Sequence, residues 1–232
     1  MEPVPDDWER ALAIVAHPDD MEYGAAAAVA RWTARGKSVT YLLVTRGEAG
    51  IDDLSPEECG RVREAEERAS AAIVGVDRVE FLDHPDGLIE YGVALRRDIA
   101  VAIRRYCPQV VITLNHHESW GGANLNMADH RNVGLAALDA VRDAANRWLW
   151  RDAEVSEPWA GVRFALVAGV PDATHFVDVS TELEAGIASL EAHARYLAHV
   201  GTNAREFLTS IAEQTGRECG VRYATAFGLV PF

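Results

Sequence analysis

Apolar runs and amphipathic segments alternate along the first half of the chain with the periods of buried strands and covering helices. The run Leu12-Ala13-Ile14-Val15-Ala16 reads as a strand; Met21 to Arg35 follows, Ala-rich and free of Pro, with Gly36 placed as a helix C-cap. Ser38 to Thr45 reads as a second strand. Ser55-Pro56-Glu57-Glu58 supplies an N-cap, a Pro at the first helical position and early negative charge, predicting a helix to about Val74. Val79 to Leu82 is a third strand, Tyr91 to Tyr106 an amphipathic helix, and the β-branched run Val110-Val111-Ile112-Thr113-Leu114 a fourth, buried strand. This alternation predicts an α/β fold, a doubly wound, mostly parallel sheet with right-handed crossovers and helices on both faces. Beyond residue 130 the spacing predicts a helix over Asn132–Trp148, strands at Phe164–Val167 and His175–Val179, and helices over Glu182–His199 and Asn203–Thr215.

Composition narrows the class. With 232 residues, 49% hydrophobic content and no Pro/Ser/Gly-rich linker, the chain reads as a single domain over 1–232. A formal net charge of -14 argues against nucleic-acid and anionic-membrane partners, which call for a basic face. No leader-like segment opens the sequence and no apolar run is long enough to span a bilayer, so a soluble, cytoplasmic protein is expected. Cys59, Cys107 and Cys219 are odd in number and form no C-x-x-C pair, as suits a reducing compartment. Homo-oligomerisation is compatible with all of this.

The candidate chemistry sits at two strand ends. His17-Pro18-Asp19-Asp20 follows the first strand, where open α/β sheets bind ligands. His17 and Asp20 can converge on one ion, with Asp19 placed to handle a proton; equally, either Asp can cap the next helix. After Leu114 comes a long polar loop, Asn115 to His130, of a kind that is usually functional when a compact domain keeps it. It ends in Asp129-His130, and His130 can serve as the remote third ligand of a two-His, one-Asp site that leaves a position open for water. Asp129 either orients a neighbouring imidazole or caps the following helix. Arg46 and Glu48 stand at the end of the second strand, as ligand contacts or as a surface ion pair. Asp86 steadies a turn or reaches a sugar hydroxyl, and Trp120 forms a pocket rim or packs. His193 and His199 read as solvated or core-edge residues, His84 as part of a turn, and the cysteines as ordinary thiols.

Five separated elements resemble the LmbE/PIG-L zinc deacetylases: His17-Pro18-Asp19-Asp20, Thr45-Arg46-Gly47-Glu48-Ala49-Gly50, Arg63-x-x-Glu66 leading to Val74-Gly75-Val76, Pro85-Asp86-Gly87, and Asp129-His130. The resemblance covers nearly the whole chain. It implies a Rossmann-like fold and hydrolysis of an N-acetyl or other N-acyl amide on an amino sugar or glycoconjugate by a metal-bound water. It further implies Zn2+, with Fe2+ as an alternative, held by His17, Asp20 and His130, Asp19 as general base, and Arg63 as a substrate contact. Zinc lowers the pKa of bound water toward ~7, which suits an adjacent carboxylate base.

The departures shape the expectation. Where the family often carries a first histidine that assists the tetrahedral intermediate, this chain has Met127, whose thioether donates no hydrogen bond. Either another donor is recruited from His116, His117 and His175, with His117 as the catalytic candidate, or zinc alone holds the oxyanion; recruitment is the expectation. Met21 displaces the usual Glu by one place, giving Glu22 a structural role, and Tyr223-Ala224-Thr225 stands where the family reads Tyr-Ala-Glu. Two other readings stay open: an amidase for a larger thiol-conjugate amide, and a metal-binding Rossmann-like module without activity. In the enzyme readings the partner is an N-acylated small molecule.

Overall fold

The computed structural model describes residues 1–232. Its strands are β1 (Glu2–Pro3), β2 (Arg10–Val15), β3 (Ser38–Leu43), β4 (Arg78–Phe81), β5 (Val110–Leu114), β6 (Ser119–Gly121), β7 (Asn124–Leu125), β8 (Phe164–Ala168), β9 (His175–Asp178) and β10 (Ala224–Pro231). Its helices are α1 (Asp20–Gly24), α2 (Ala26–Ala34), α3 (Pro56–Ile73), α4 (Val93–Tyr106), α5 (Ala128–Ala145), α6 (Leu183–Glu191), α7 (Ala194–Val200) and α8 (Ala204–Cys219).

Eight strands form one sheet in the order β1-β9-β10-β8-β5-β2-β3-β4, in which only β10 runs against its neighbours. The chain winds from β2 through β3 to β4 on one side and through β5 to β8 on the other. The carboxyl ends of β2 and β5 therefore flank a crevice where consecutive connections diverge, the place such sheets bind ligands.

Both faces of the sheet are apolar because its central strands are near-continuous hydrophobic runs. On one face Ala13, Val15, Tyr41, Leu43 and Ile112 pack with the alanines of α2 and with Trp32. On the other, Leu12, Ile14, Leu42 and Val111 meet Leu95, Ile99 and Ile103 of α4 and Val133, Ala137 and Ala140 of α5. Small residues set the layer spacing. A Cβ on Gly186 would stand 2.8 Å from Ala27 Cβ, so α6 can lie on α2 only with glycine there. At α3 the Ser55 and Glu58 capping box closes as the sequence predicts.

Several boundaries differ from the sequence reading. The expected helix over 21–35 divides at Ala25 (φ -152, ψ -3), so that α1 stays tied to the end of β2 while α2 lies on the sheet. The late helix over 182–199 divides at His193, and α5 begins at Ala128, four residues early, because Asp129 is held by contacts outside its own helix. The sequence reading omitted β1, the β6–β7 hairpin inside the 115–130 loop, and β10, whose Gly228 and Pro231 mask its strand character.

Candidate functional site

A cavity of about 920 Å³ opens at the carboxyl ends of β2 and β5, and His17, Asp19, Asp20, Arg63, Asp86 and His130 line it. Asp20 is fixed from behind: its Oδ2 accepts the backbone N–H groups of Ala16 and His17 at 2.9 and 2.8 Å. Its Oδ1 points at His130 Nε2, 3.1 Å away, and His130 Nε2 in turn lies 3.2 Å from His17 Nδ1. The outer nitrogens of both rings have acceptors. His17 Nε2 lies 3.0 Å from Asp86 Oδ1 and 3.3 Å from Asp129 Oδ2, and His130 Nδ1 lies 3.2 Å from Asn126 Oδ1. With the ring protons on those outer nitrogens, two imidazole lone pairs and a carboxylate oxygen face one point, a donor set suited to a divalent cation.

The charges respond to this crowding. Burial opposes the charged form of His17, but the carboxylates of Asp129, Asp20 and Asp86 outweigh it and hold the imidazole well above its ordinary value. Burial likewise works against the Asp20 carboxylate, yet the adjacent His130 and His17 bring its pKa below the usual range. Asp19 goes the other way: burial raises it to about 7, against the pull of the Arg63 guanidinium.

Asp19 occupies a left-handed backbone conformation (φ 93) that few non-glycine residues adopt, an outlier of the kind that marks functional turns. Two side chains of α3 hold it. Glu67 Oε2 accepts its N–H at 3.2 Å, and Arg63 Nη2 donates to its Oδ1 at 2.8 Å and to Pro18 O. Arg63 is itself closely packed: its guanidinium carbon lies 3.6 Å from the centre of the Tyr196 ring, and a Cβ on Gly50 would come within 2.5 Å of Nη1. No hydrogen bond within the protein engages Asp19 Oδ2.

The remaining candidates divide. Asp129 does not cap its helix; its Oδ2 accepts Gly87 N–H at 2.7 Å and faces His17. Asp86 also faces His17 and accepts Ala49 N–H, so it both steadies its turn and orients the ring. Trp120 is on the cavity wall, edge-on to His130. Arg46 points away, to Leu82 O and Asp83, and Glu48 accepts the N–H groups of Arg46 and Asp86; neither reaches the cavity. His117 is a correction. Its ring packs on His116 and lies 3.9 Å from Asp172, and neither of these histidines, nor His175, lines the cavity. Met127 does line it, and the wall's neutral side-chain hydrogen-bond donors include Tyr23, Trp120, Tyr196, Asn124, Gln214, Thr215 and Thr225. The sequence reading missed Asn126, Glu67 and Tyr196. His193 also differs from expectation, being completely buried. No helix is long and apolar enough to cross a membrane.

Comparison with known proteins finds deacetylases among the chain's relatives. A diacetylchitobiose deacetylase from Thermococcus kodakarensis is 29% identical, the match covering 97% of this chain and 84% of that one. A 1D-myo-inositol 2-acetamido-2-deoxy-alpha-D-glucopyranoside deacetylase from Kineococcus radiotolerans is 30% identical over 82% of this chain and 69% of its own. The crystal structure of N,N'-diacetylchitobiose deacetylase from Pyrococcus horikoshii superposes with a TM-score of 0.83, covering 97% of this chain and 85% of that one at 24% identity, a likeness of fold. Residues 12–141, which carry His17, Asp19, Asp20, Arg63 and His130, match the family model of the GlcNAc-PI de-N-acetylases, and the chain belongs to that PIG-L family.

Proposed function

We propose that this protein removes the N-acetyl group from a GlcNAc-containing small molecule, using a zinc ion held by His17, Asp20 and His130. The observation that carries the proposal is the approach of His17 Nδ1 to His130 Nε2 at 3.2 Å, while each ring's outer nitrogen faces an oxygen acceptor. Two facing lone pairs repel each other unless a cation or proton lies between them. A divalent cation bound there supplies Lewis-acid polarisation of an amide carbonyl and acidifies water.

The chain's own residues do the rest. Asp19, on the cavity wall with Oδ2 free of protein hydrogen bonds, serves as proton acceptor while Arg63 restrains the carboxylate through Oδ1. Once protonated, the same carboxyl can pass its proton to the departing amine. Trp120, Tyr23 and Phe207 give the cavity an aromatic rim suited to the apolar faces of sugar rings. The two deacetylase relatives, whose names specify N-acetylated amino sugars, support this substrate class.

The test is primary-amine release from N-acetylglucosamine, diacetylchitobiose and GlcNAc–inositol conjugates, with chelator-treated protein compared with the same protein reloaded with zinc. Zinc-dependent release is expected from at least one of them. No release across the panel, at one zinc per His17–Asp20–His130 site, would reject the proposal.

A further inference from the structure

Behind the Asp19 turn lies a second polar cluster that the hydrolytic reading does not use. Glu22 of α1, Glu67 of α3 and His193, at the break between α6 and α7, meet between elements where their side chains are 0–1% exposed. Glu22 Oε1 is satisfied by the Ser70 hydroxyl at 2.7 Å, with Ser189 Oγ 3.4 Å away, and Glu67 Oε2 by the N–H of Asp19. Their other oxygens, Glu22 Oε2 and Glu67 Oε1, have no hydrogen-bond partner, nor do either of the His193 ring nitrogens or the hydroxyl of the fully buried Tyr41. Five polar atoms without a protein partner in one buried region is far from the norm, in which buried polar atoms are nearly always paired.

We propose that Glu22, Glu67 and His193 form a second divalent-cation site, of structural kind, that takes zinc during folding. Its donors are the right kind and the right distance apart. His193 Nε2 lies 3.7 Å from Glu22 Oε2 and 3.6 Å from Glu67 Oε2, too far for hydrogen bonds. Two ligand atoms each about 2.0–2.2 Å from a shared zinc ion stand at such separations. One divalent ion also neutralises two carboxylates beside a neutral imidazole, removing the large cost of burying uncompensated negative charge. The helix break at His193 (φ -79, ψ 47) is where the ring enters the cluster. The site shares no ligand with His17, Asp20 and His130. Its one link to the hydrolytic centre is Glu67, which grips the N–H of Asp19, so the cation would brace the strained turn that presents the general base.

Zinc content per chain tests this without reference to activity. Protein produced with zinc and freed of loose metal by gel filtration is expected to carry about two zinc ions per chain. One should leave on treatment with a chelator and the other only on unfolding in guanidinium. His130→Ala should keep the slow ion and lose the exchangeable one, whereas Glu67→Gln should do the reverse. A wild-type count that saturates at one per chain, or a His130→Ala protein that holds no zinc when folded, would overturn the proposal and leave protons to neutralise the cluster. Those two counts decide the matter even if the Glu67 variant fails to fold.

Discussion

Asp129 Oδ2 stands 3.3 Å from His17 Nε2 while accepting the N–H of Gly87 at 2.7 Å, so one carboxylate joins the first turn of α5, the 85–89 turn and the His17 ring. With a cation at Nδ1, this contact would hold the ring proton on Nε2 and leave the Nδ1 lone pair facing His130. Asp129→Asn removes the charge but keeps the shape. Zinc affinity, read by competition with a fluorescent chelator, should fall about 10- to 100-fold. Unchanged affinity would mean that Asp86, 3.0 Å from the same nitrogen, orients the ring alone.

Asp19→Asn separates the proposed proton acceptor from the proposed metal ligands. Asparagine tolerates the left-handed conformation and can still accept from Arg63, so the turn should survive. Turnover is expected to drop by about 10²- to 10⁴-fold, with metal stoichiometry and KM little changed. Turnover within a few-fold of wild type would remove Asp19 from the role of base.

The ends of β2 and β5 were legible because each signal there is local: an apolar run, a Pro turn, then polar residues. The partners that shape those groups were not. Asn126, which accepts from His130, and Glu67, which accepts from Asp19, belong to a loop and to a helix whose sequences look like any polar loop or solvated helix face. His193 read as a residue near the surface because its burial arises from packing of α6 and α7 over α3, a long-range event with no local periodicity. His117 differs for the opposite reason: its place in the right loop said nothing of its direction, and its ring stands against His116, off the cavity wall.

Gly134 gives a packing test of the same region. A Cβ there would stand 2.6 Å from Leu114 O and 3.0 Å from His116 Cβ, so Gly134→Ala must lift α5 from the end of β5. Overpacking of this kind costs about 1–3 kcal/mol. The thermal midpoint should fall, and because His130 lies one turn earlier on the same helix, zinc affinity should fall with it. A variant as stable as wild type would show that the helix yields easily at this point.

Removal of metal should make stability fall as pH rises. The Asp19 pKa is raised from 3.8 to about 7 by burial, so between these values the unfolded chain has lost a proton that the folded one keeps. Stability then declines with pH across that interval. His17, also raised, contributes stability that is complete below 6.5 and lost as pH climbs through its folded value. Asp20 does not offset this, because its depressed pKa keeps its contribution constant above 3.8. Chelated protein should therefore melt at a lower temperature at pH 8 than at pH 5, and the gain from added zinc should be larger at pH 8, where the cation replaces protons the site would otherwise hold. Surface carboxylates also repel more strongly as pH rises in a chain of net charge -14, so the comparison that isolates the site is Asp19→Asn, in which the decline between pH 5 and 7 should flatten. An equal slope in wild type and variant would remove Asp19 as the cause and assign the decline to the other raised groups, Glu67 and His17, or to the surface.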